Sequence, residues 1–339
     1  MLKERDRKTL KTIIELYVAD GVPVSSRAVK EAGHAGSTAS IRNYMASLER
    51  RGYLRKPHTS AGRVPTDEAY RLYVDDLQAN RYEWDEVTRR CRTELRDVSR
   101  DVGEIMLHAS RLLGDISKNF SVVYGSMTLE SRVRHLQLVK LDGPRLLVVV
   151  NLEPEYEWTT VLRLDRSFSG EVVAGAERLI DQAVAGKTIE EAKEALDGVV
   201  RDNVTDEGII MREISIHRQA IFSEPPAVEL YFEERSHLLE QPELSDPKNL
   251  QLILKLLHNK DYLTGILANR STEGTQVTIG AENEDAALKP FSLVTAGYRM
   301  GAARGVLGII GPTRMRYDIA LLLVGSVSRE LRAIGEEYF

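Results

Sequence analysis

Between Lys3 and Thr66 the hydrophobic period of the chain changes in an order that few folds accommodate. Leu10, Ile13, Ile14, Tyr17 and Val18 share one face of a helix predicted over Lys3–Asp20, which Gly21 and Pro23 stop. Ser25 or Ser26 can cap a short second helix, about Arg27–Ala32, and Gly33–Gly36 reads as a tight turn. Ser37 caps a third helix over Thr38–Arg51, with Ile41, Met45 and Leu48 facing inward and Gly52 ending it. A short strand (Tyr53–Lys56), a polar tip (His58–Gly62) and a return strand (Arg63–Pro65) follow, and Thr66 and Asp67 open a fourth helix to about Asn80. Helix, helix, turn, helix, strand, tip, strand is the order of a winged helix-turn-helix.

In that arrangement the third helix would be the one presented to a ligand. With Ile41, Met45 and Leu48 committed to the core, Ser37, Thr38, Ser40, Arg42 and Asn43 remain outward or at the helix start, with Ser47 and Arg50. Arginine pairs bidentately with guanine and asparagine with adenine in a major groove. A helix N-terminus suits a phosphate. The tip adds His58, Thr59, Ser60 and Arg63 around a flexible Gly62, suited to backbone or minor-groove contact. The net charge of −5 argues against DNA until it is divided. Up to Thr66 there are 13 Lys/Arg and 6 Asp/Glu, a balance of +7; the remainder has 33 and 45, a balance of −12. A basic head on an acidic body is what one DNA-facing end produces. The same three helices and hairpin also occur in domains that bind only protein, and that alternative predicts no salt-sensitive duplex binding.

Beyond the head, Val87, Cys91, Leu95, Val98, Val102, Ile105, Ala109, Leu112 and Ile116 settle into steps of three and four along a helix predicted over Asp85–Lys118. Gly103 and Gly114 weaken this seam, and it needs a partner, either its twin in a dimer or the next domain. Strands are predicted at His135–Leu141 and Arg145–Leu152 around the turn Asp142-Gly143-Pro144, and again at Trp158–Leu164. Ser169 to about Gln219 is helical, and Val228–Phe232 is a strand. Pro247–Ala268 is helical again, and strands return at Gln276–Ile279, Phe291–Arg299 and Gly305–Ile310 before a last helix from Arg316. Strands on both sides of a helical block suggest one α/β domain interrupted by an insertion.

Several function classes are excluded. The seven histidines are scattered, Cys91 is the one cysteine and sits on the apolar seam, and no metal site follows. No nucleophile elbow, Walker A or dinucleotide fingerprint occurs, and the glycines from Gly301 to Gly311 lack the phosphate-loop lysine and fit packed strands. Neither an enzyme nor a cofactor is expected. The longest nearly unbroken apolar stretch, Ile319–Val327, is far short of the ~18 residues of a membrane span, and the charged first ten residues are no secretory signal. The expected location is the cytoplasm.

Three stretches near the N-terminus, SSRAVKEAG, STASIRNYMASLERRGYL and PHTSAGRVPTDEAYRLYVDDL, closely resemble the N-terminal signature of the HrcA family of heat-inducible transcription repressors. IGAENEDAALKPFSLVTAGYRMGAARGVLGIIGPTRMRY resembles that family's closing motif. The resemblance implies a multidomain α+β fold: a winged helix-turn-helix (residues 1–80), a linker helix (81–119), a discontinuous GAF-like domain (120–168 and 282–339) and an inserted dimerising domain (169–281). It also implies a homodimer on an inverted-repeat operator upstream of chaperonin operons. Repression would be relieved on heat stress, with a GroEL-type chaperonin keeping the repressor folded. The alternative is a small-molecule-sensing winged-helix regulator that uses the GAF-like domain as its sensor.

Overall fold

The computed structural model describes residues 2–57, 62–79, 85–98, 101–127, 132–153, 156–199, 205–222, 229–232, 241–270, 273–301 and 303–338. In the first of these segments local chemistry sets the elements. Helix α1 spans Glu4–Asp20 and ends where Gly21 takes φ +67° and returns its amide to the Tyr17 carbonyl. Helix α2 (Ser26–Glu31) is capped by Ser25, whose hydroxyl accepts from the Ala28 amide at 3.1 Å. Helix α3 (Thr38–Arg50) is capped by Ser37 in the same way. Strands β1 (Leu54–Arg55) and β2 (Val64–Pro65) pair antiparallel, and Val24 bridges to Arg63 beside them. Helix α4 (Asp67–Ala79) follows.

The helix expected over Asp85–Lys118 is two helices, α5 (Asp85–Arg96) and α6 (Val102–Ser117). Asp101 breaks the run by capping α6, its carboxylate accepting from the Glu104 amide at 2.8 Å. The seam does find its partner within the chain. Cys91, Leu95, Ile105, Ala109 and Leu112 are buried in one core with Leu323, Val327 and Leu331 of the last helix, α13 (Tyr317–Tyr338).

Strand β3 (Phe120–Met127) belongs to a five-stranded sheet. Sheets β4–β6 and the sheet holding β3 are separate: β4 (Arg132–Lys140), β5 (Arg145–Glu153) and β6 (Tyr156–Arg163) make a three-stranded meander. Val133, Leu136, Leu138, Val148 and Val150 turn one face of that meander onto helices α7 (Gly170–Val184), α8 (Ile189–Val199), α9 (Asp206–Ile216) and α10 (Arg218–Ile221), forming a core of its own. The strands expected to complete the 120–168 half of the discontinuous domain therefore segregate with the helices that follow them. The reason is packing: their alternating apolar residues meet Val173, Ala176, Ile180 and Val184, not the larger sheet.

The larger sheet gathers β7 (Glu229–Tyr231), β3, β10 (Ala303–Pro312), β9 (Phe291–Met300) and β8 (Thr275–Ile279), in that order, with every neighbouring pair antiparallel. Helices α11 (Pro247–His258) and α12 (Lys260–Ala268) also belong to it, although the sequence placed them in the insertion. Period-two alternation divides the sheet's side chains between two layers. Phe291, Leu293, Val306 and Ile310 face α11 and α12, whereas Val294, Ala296, Leu307 and Ile309 face α13 and α6. The glycines of β10 are spacers in a packed strand: a Cβ on Gly305 would lie 2.7 Å from the Tyr298 ring. The mixture of helix and sheet is the expected α+β class. Among the described residues no helix is long and apolar enough to cross a membrane, and no group of His, Cys, Asp and Glu is placed to hold a metal ion.

Candidate nucleic-acid interface

The inward face of α3 is the predicted one. Ile41, Met45 and Leu48 are buried against Leu10, Ile13 and Ile14 of α1. That packing turns Arg42 and Asn43 fully outward, and among the described residues neither side chain has a partner. An arginine and an asparagine side by side on a rigid helix, with their donors uncommitted, can be satisfied by base edges. Ser37 is exposed but occupied: its hydroxyl accepts from the Ser40 amide at 3.1 Å and lies 3.0 Å from the Ser40 hydroxyl. Thr38 and Ser40 are half-buried. The structure thus brings Ser37, Thr38, Ser40, Arg42 and Asn43 together at the start of α3. There the first-turn amides of Thr38 and Ala39 are left pointing out of the helix end, as in any α-helix.

The tip residues His58, Thr59 and Ser60 lie outside the described residues. Arg63 is described, and its guanidinium is engaged within the head. Its Nε donates to Glu49 Oε2 at 2.8 Å, with the Arg63 side chain only 17 % exposed. Lys56 approaches the same carboxylate at 3.9 Å. Glu49 sits in the last turn of α3, so it ties that end of the helix to both sides of the strand pair. Sequence reasoning missed Glu49 because its partners are recruited from other elements. Gly62 also differs from its expected role. It does not adopt a left-handed conformation, and a Cβ there would overlap the Val24 carbonyl oxygen and lie 2.6 Å from that of Pro23. It is a point of close backbone approach, not a flexible joint. The neighbouring pair of bonds, Val24 N–H to Arg63 O and Arg63 N–H to Val24 O, both 2.8 Å, holds the return strand to the loop before α2. Thr66 completes the base of the strand pair by donating its hydroxyl to the Gly52 carbonyl at 2.7 Å.

The head is joined to the body by a shared apolar core and by polar contacts on two of its helices. On α4, Arg71 donates through Nε to Glu282 Oε1 at 2.7 Å and through Nη2 to the second oxygen of the same carboxylate and to the Val277 carbonyl. Burial works against the Glu282 carboxylate, but the Arg71 guanidinium and the Ile279 amide outweigh it and hold its pKa below the usual range. Asp67 accepts from the Ala281 amide at 2.9 Å. On α1, Arg314 donates to the Val18 carbonyl at 3.1 Å while paired with Glu243. Between these contacts Tyr70 packs on Tyr317, ring centroids 5.7 Å apart.

Comparison with known proteins identifies the group to which this architecture belongs. Residues 103–320 match the family described as "HrcA protein C terminal domain". A heat-inducible transcription repressor HrcA of Geobacter sulfurreducens is 35 % identical over 328 residues, covering 95 % of each chain. Proteins of the same name from Chlorobium phaeobacteroides and Shouchella clausii are each 31 % identical and cover 97 % or more of both chains. The chain belongs to the HrcA family. A crystal structure of a hypothetical protein matches all of both chains with a TM-score of 0.67 at 21 % identity, a likeness of fold. The HrcA relatives extend over the head as well as over the matched C-terminal region, so α3 and its exposed pair fall within the shared length.

Proposed function

We propose that this protein is a heat-inducible transcription repressor that binds double-stranded DNA as a homodimer. Its first 80 residues serve as a winged helix-turn-helix, and α3 enters the major groove of each half of an inverted repeat. The observation that carries this reading is the pair Arg42 and Asn43, exposed and without a partner among the described residues, on a helix whose opposite face is locked into the head. Arg42 and Asn43 read bases. Ser37, Thr38 and Ser40 set the helix start against a phosphate, and His58, Thr59, Ser60 and Arg63 are the wing. For Arg63 the role is the smaller one of holding the wing's base, since Glu49 already takes its Nε donor.

The five-stranded sheet with α6, α11, α12 and α13 takes the place of the GAF-like domain, and residues 132–222 that of the inserted dimerising domain. Two features favour the dimer contact there. The α5–α6 seam is already covered by α13. The outer face of the three-stranded sheet carries Val139 opposite Leu147 and Leu147 opposite Val161, with the two valines 44 % and 55 % exposed. Heat would end repression by removing the folded dimer, because loss of one head forfeits the effective concentration that holds the second half-site. A GroEL-type chaperonin in the cytoplasm would set how much folded repressor is available.

The experiment is fluorescence anisotropy across a salt series. A duplex carrying an inverted repeat from upstream of a chaperonin operon is compared with a scrambled duplex. Tight binding to the repeat alone, weakening steeply as salt rises, supports the reading. Equal weak binding to both duplexes, with chaperonin present, removes it. A second reading, a small-molecule sensor, is favoured by a depression of about 810 Å³ beside β8, where half-buried Arg270 donates to the Thr278 hydroxyl and Glu284 acts on its charge. A ligand there raises the thermal midpoint and alters DNA affinity.

A further inference from the structure

The two stretches of sequence most specific to the family lie at opposite ends of the chain, yet they meet in the fold. Asp67, Tyr70 and Arg71 come from the first; Glu282, Arg314 and Tyr317 come from the second. Tyr70 and Tyr317 are buried there, but the Arg71–Glu282 pair is too exposed to act chiefly through stability. Arg71 and Glu282 are each about a third exposed, and a pair in that setting is worth ~1 kcal/mol or less. What the pair does supply is direction. A planar guanidinium held by both oxygens of one carboxylate, and by the Val277 carbonyl as well, has a single orientation. Asp67 fixes a second point one helical turn earlier on the same helix. The fit at that point is close, because a Cβ on Gly280 would overlap the Asp67 carboxylate. Arg314 fixes a third point at the far end of α1. Three points on two helices define how the head is turned on the body, and α3 is packed rigidly onto one of those helices.

We infer that this contact is a registration device: Asp67 and Arg71, held by Ala281 and Glu282, set the direction in which α3 leaves the body, and so the separation of half-sites that two heads can reach together. The inference rests on the DNA reading above. For a dimer on a two-fold site, direction matters as much as affinity, since the two recognition helices must arrive about one helical turn (~34–36 Å) or a multiple apart. Asp67 and Arg71 touch no DNA in this scheme; they are positioning residues.

The test uses the full-length chain and two sets of duplexes. One carries a single half-site, and the other carries both half-sites with their separation changed in steps of one or two base pairs. The wild-type chain is expected to favour one separation by about tenfold or more over its neighbours. R71E should bind the single half-site within about twofold of wild type while its preference among separations falls below about threefold. The reversed pair, R71E with E282R, should restore the preference. Asp67→Ala, which removes the acceptor of the Ala281 amide, should flatten it partly and serves if R71E fails to fold. Retention of the full preference by R71E and Asp67→Ala overturns the inference. So does an equal loss on single and paired half-sites, which would make the contact a support for folding alone. A wild-type chain that binds paired half-sites no better than one removes the DNA reading itself, an outcome distinct from either.

Discussion

Gly62→Ala separates two accounts of the β1–β2 strand pair. If glycine is there for freedom, alanine stiffens the strand pair and stabilises the head by about 0.4–1 kcal/mol through the unfolded state. The structure predicts the opposite sign. Gly62 does not occupy a left-handed conformation, so its backbone angles do not bar alanine, but the added Cβ would run into the carbonyl oxygens of Val24 and Pro23. Those atoms are main chain and cannot swing aside. The loop before α2 and the return strand must therefore part, which loses both Val24–Arg63 hydrogen bonds. At ~0.5–1.5 kcal/mol for each bond, less the entropic gain, the net cost is about 1–2 kcal/mol. A chain with several cores has no single unfolding free energy, so the readout must be local. Hydrogen exchange at the Val24 and Arg63 amides should speed up by about 5–30-fold relative to amides in α13. Unchanged or slower exchange at those two amides would refute the steric account.

Three further outcomes follow from particular side chains. Arg42→Ala should cost ~1–3 kcal/mol on the operator, with relaxed specificity at one base position and little change on scrambled duplex, measured by anisotropy; a uniform loss on all sequences would make Arg42 a phosphate contact. Tyr70→Phe should slow hydrogen exchange at the α4 amides by about fivefold, since the Tyr70 hydroxyl is buried at the head–body contact without a partner among the described residues; a comparable speeding would reveal a partner. Burial, and secondarily Glu94, pushes the Cys91 thiol up to about 11, so its reaction with iodoacetamide at pH 8 should be limited by opening of α5 from α13. The same shift gives stability that is fully present below the ordinary value near 9 and is lost as pH rises through about 11. A fast, stoichiometric reaction at pH 8 on the folded chain would contradict the burial.

The parts of the head that were legible in the sequence are those whose cause is local. Ser37 caps the helix it was expected to cap, Ser25 is the cap of α2 out of the two candidates Ser25 and Ser26, Gly21 and Gly52 end their helices, and the spacing of Ile41, Met45 and Leu48 fixed which face of α3 is free. The break between α5 and α6 had a local signal too. Asp101 three residues before Glu104 is a capping pattern, but the apolar seam continues across it and masked the stop. What could not be read was which strand joins which sheet. Strands adjacent in sequence usually neighbour in space, so residues 120–168 were expected in one domain half. Instead β3 lies between β7 and β10, and β4 pairs with β5 alone. Glu49 was unreadable for the same reason: an outward glutamate on a helix looks solvated until Arg63, 14 residues on, is seen to fold back onto it.

The join between head and body has a consequence during synthesis. Arg71 and Glu282 are 211 residues apart. A ribosome adding about 5–20 residues per second spends about 10–40 s between them. For that interval the first residues of α4 are made and the surface they dock against is not. The contacts among α1, α2 and α3 can form at once, because those partners are local, but the head has nothing against which to be aimed. Each new molecule therefore passes through a period in which Tyr70 and the unfinished sheet are uncovered, and the contacts that join the head to the body close late, Arg71 with Glu282 and then Arg314 with Val18. A nascent or truncated chain ending before Glu282 should be found attached to folding helpers and absent from operators, however well its first 80 residues have folded.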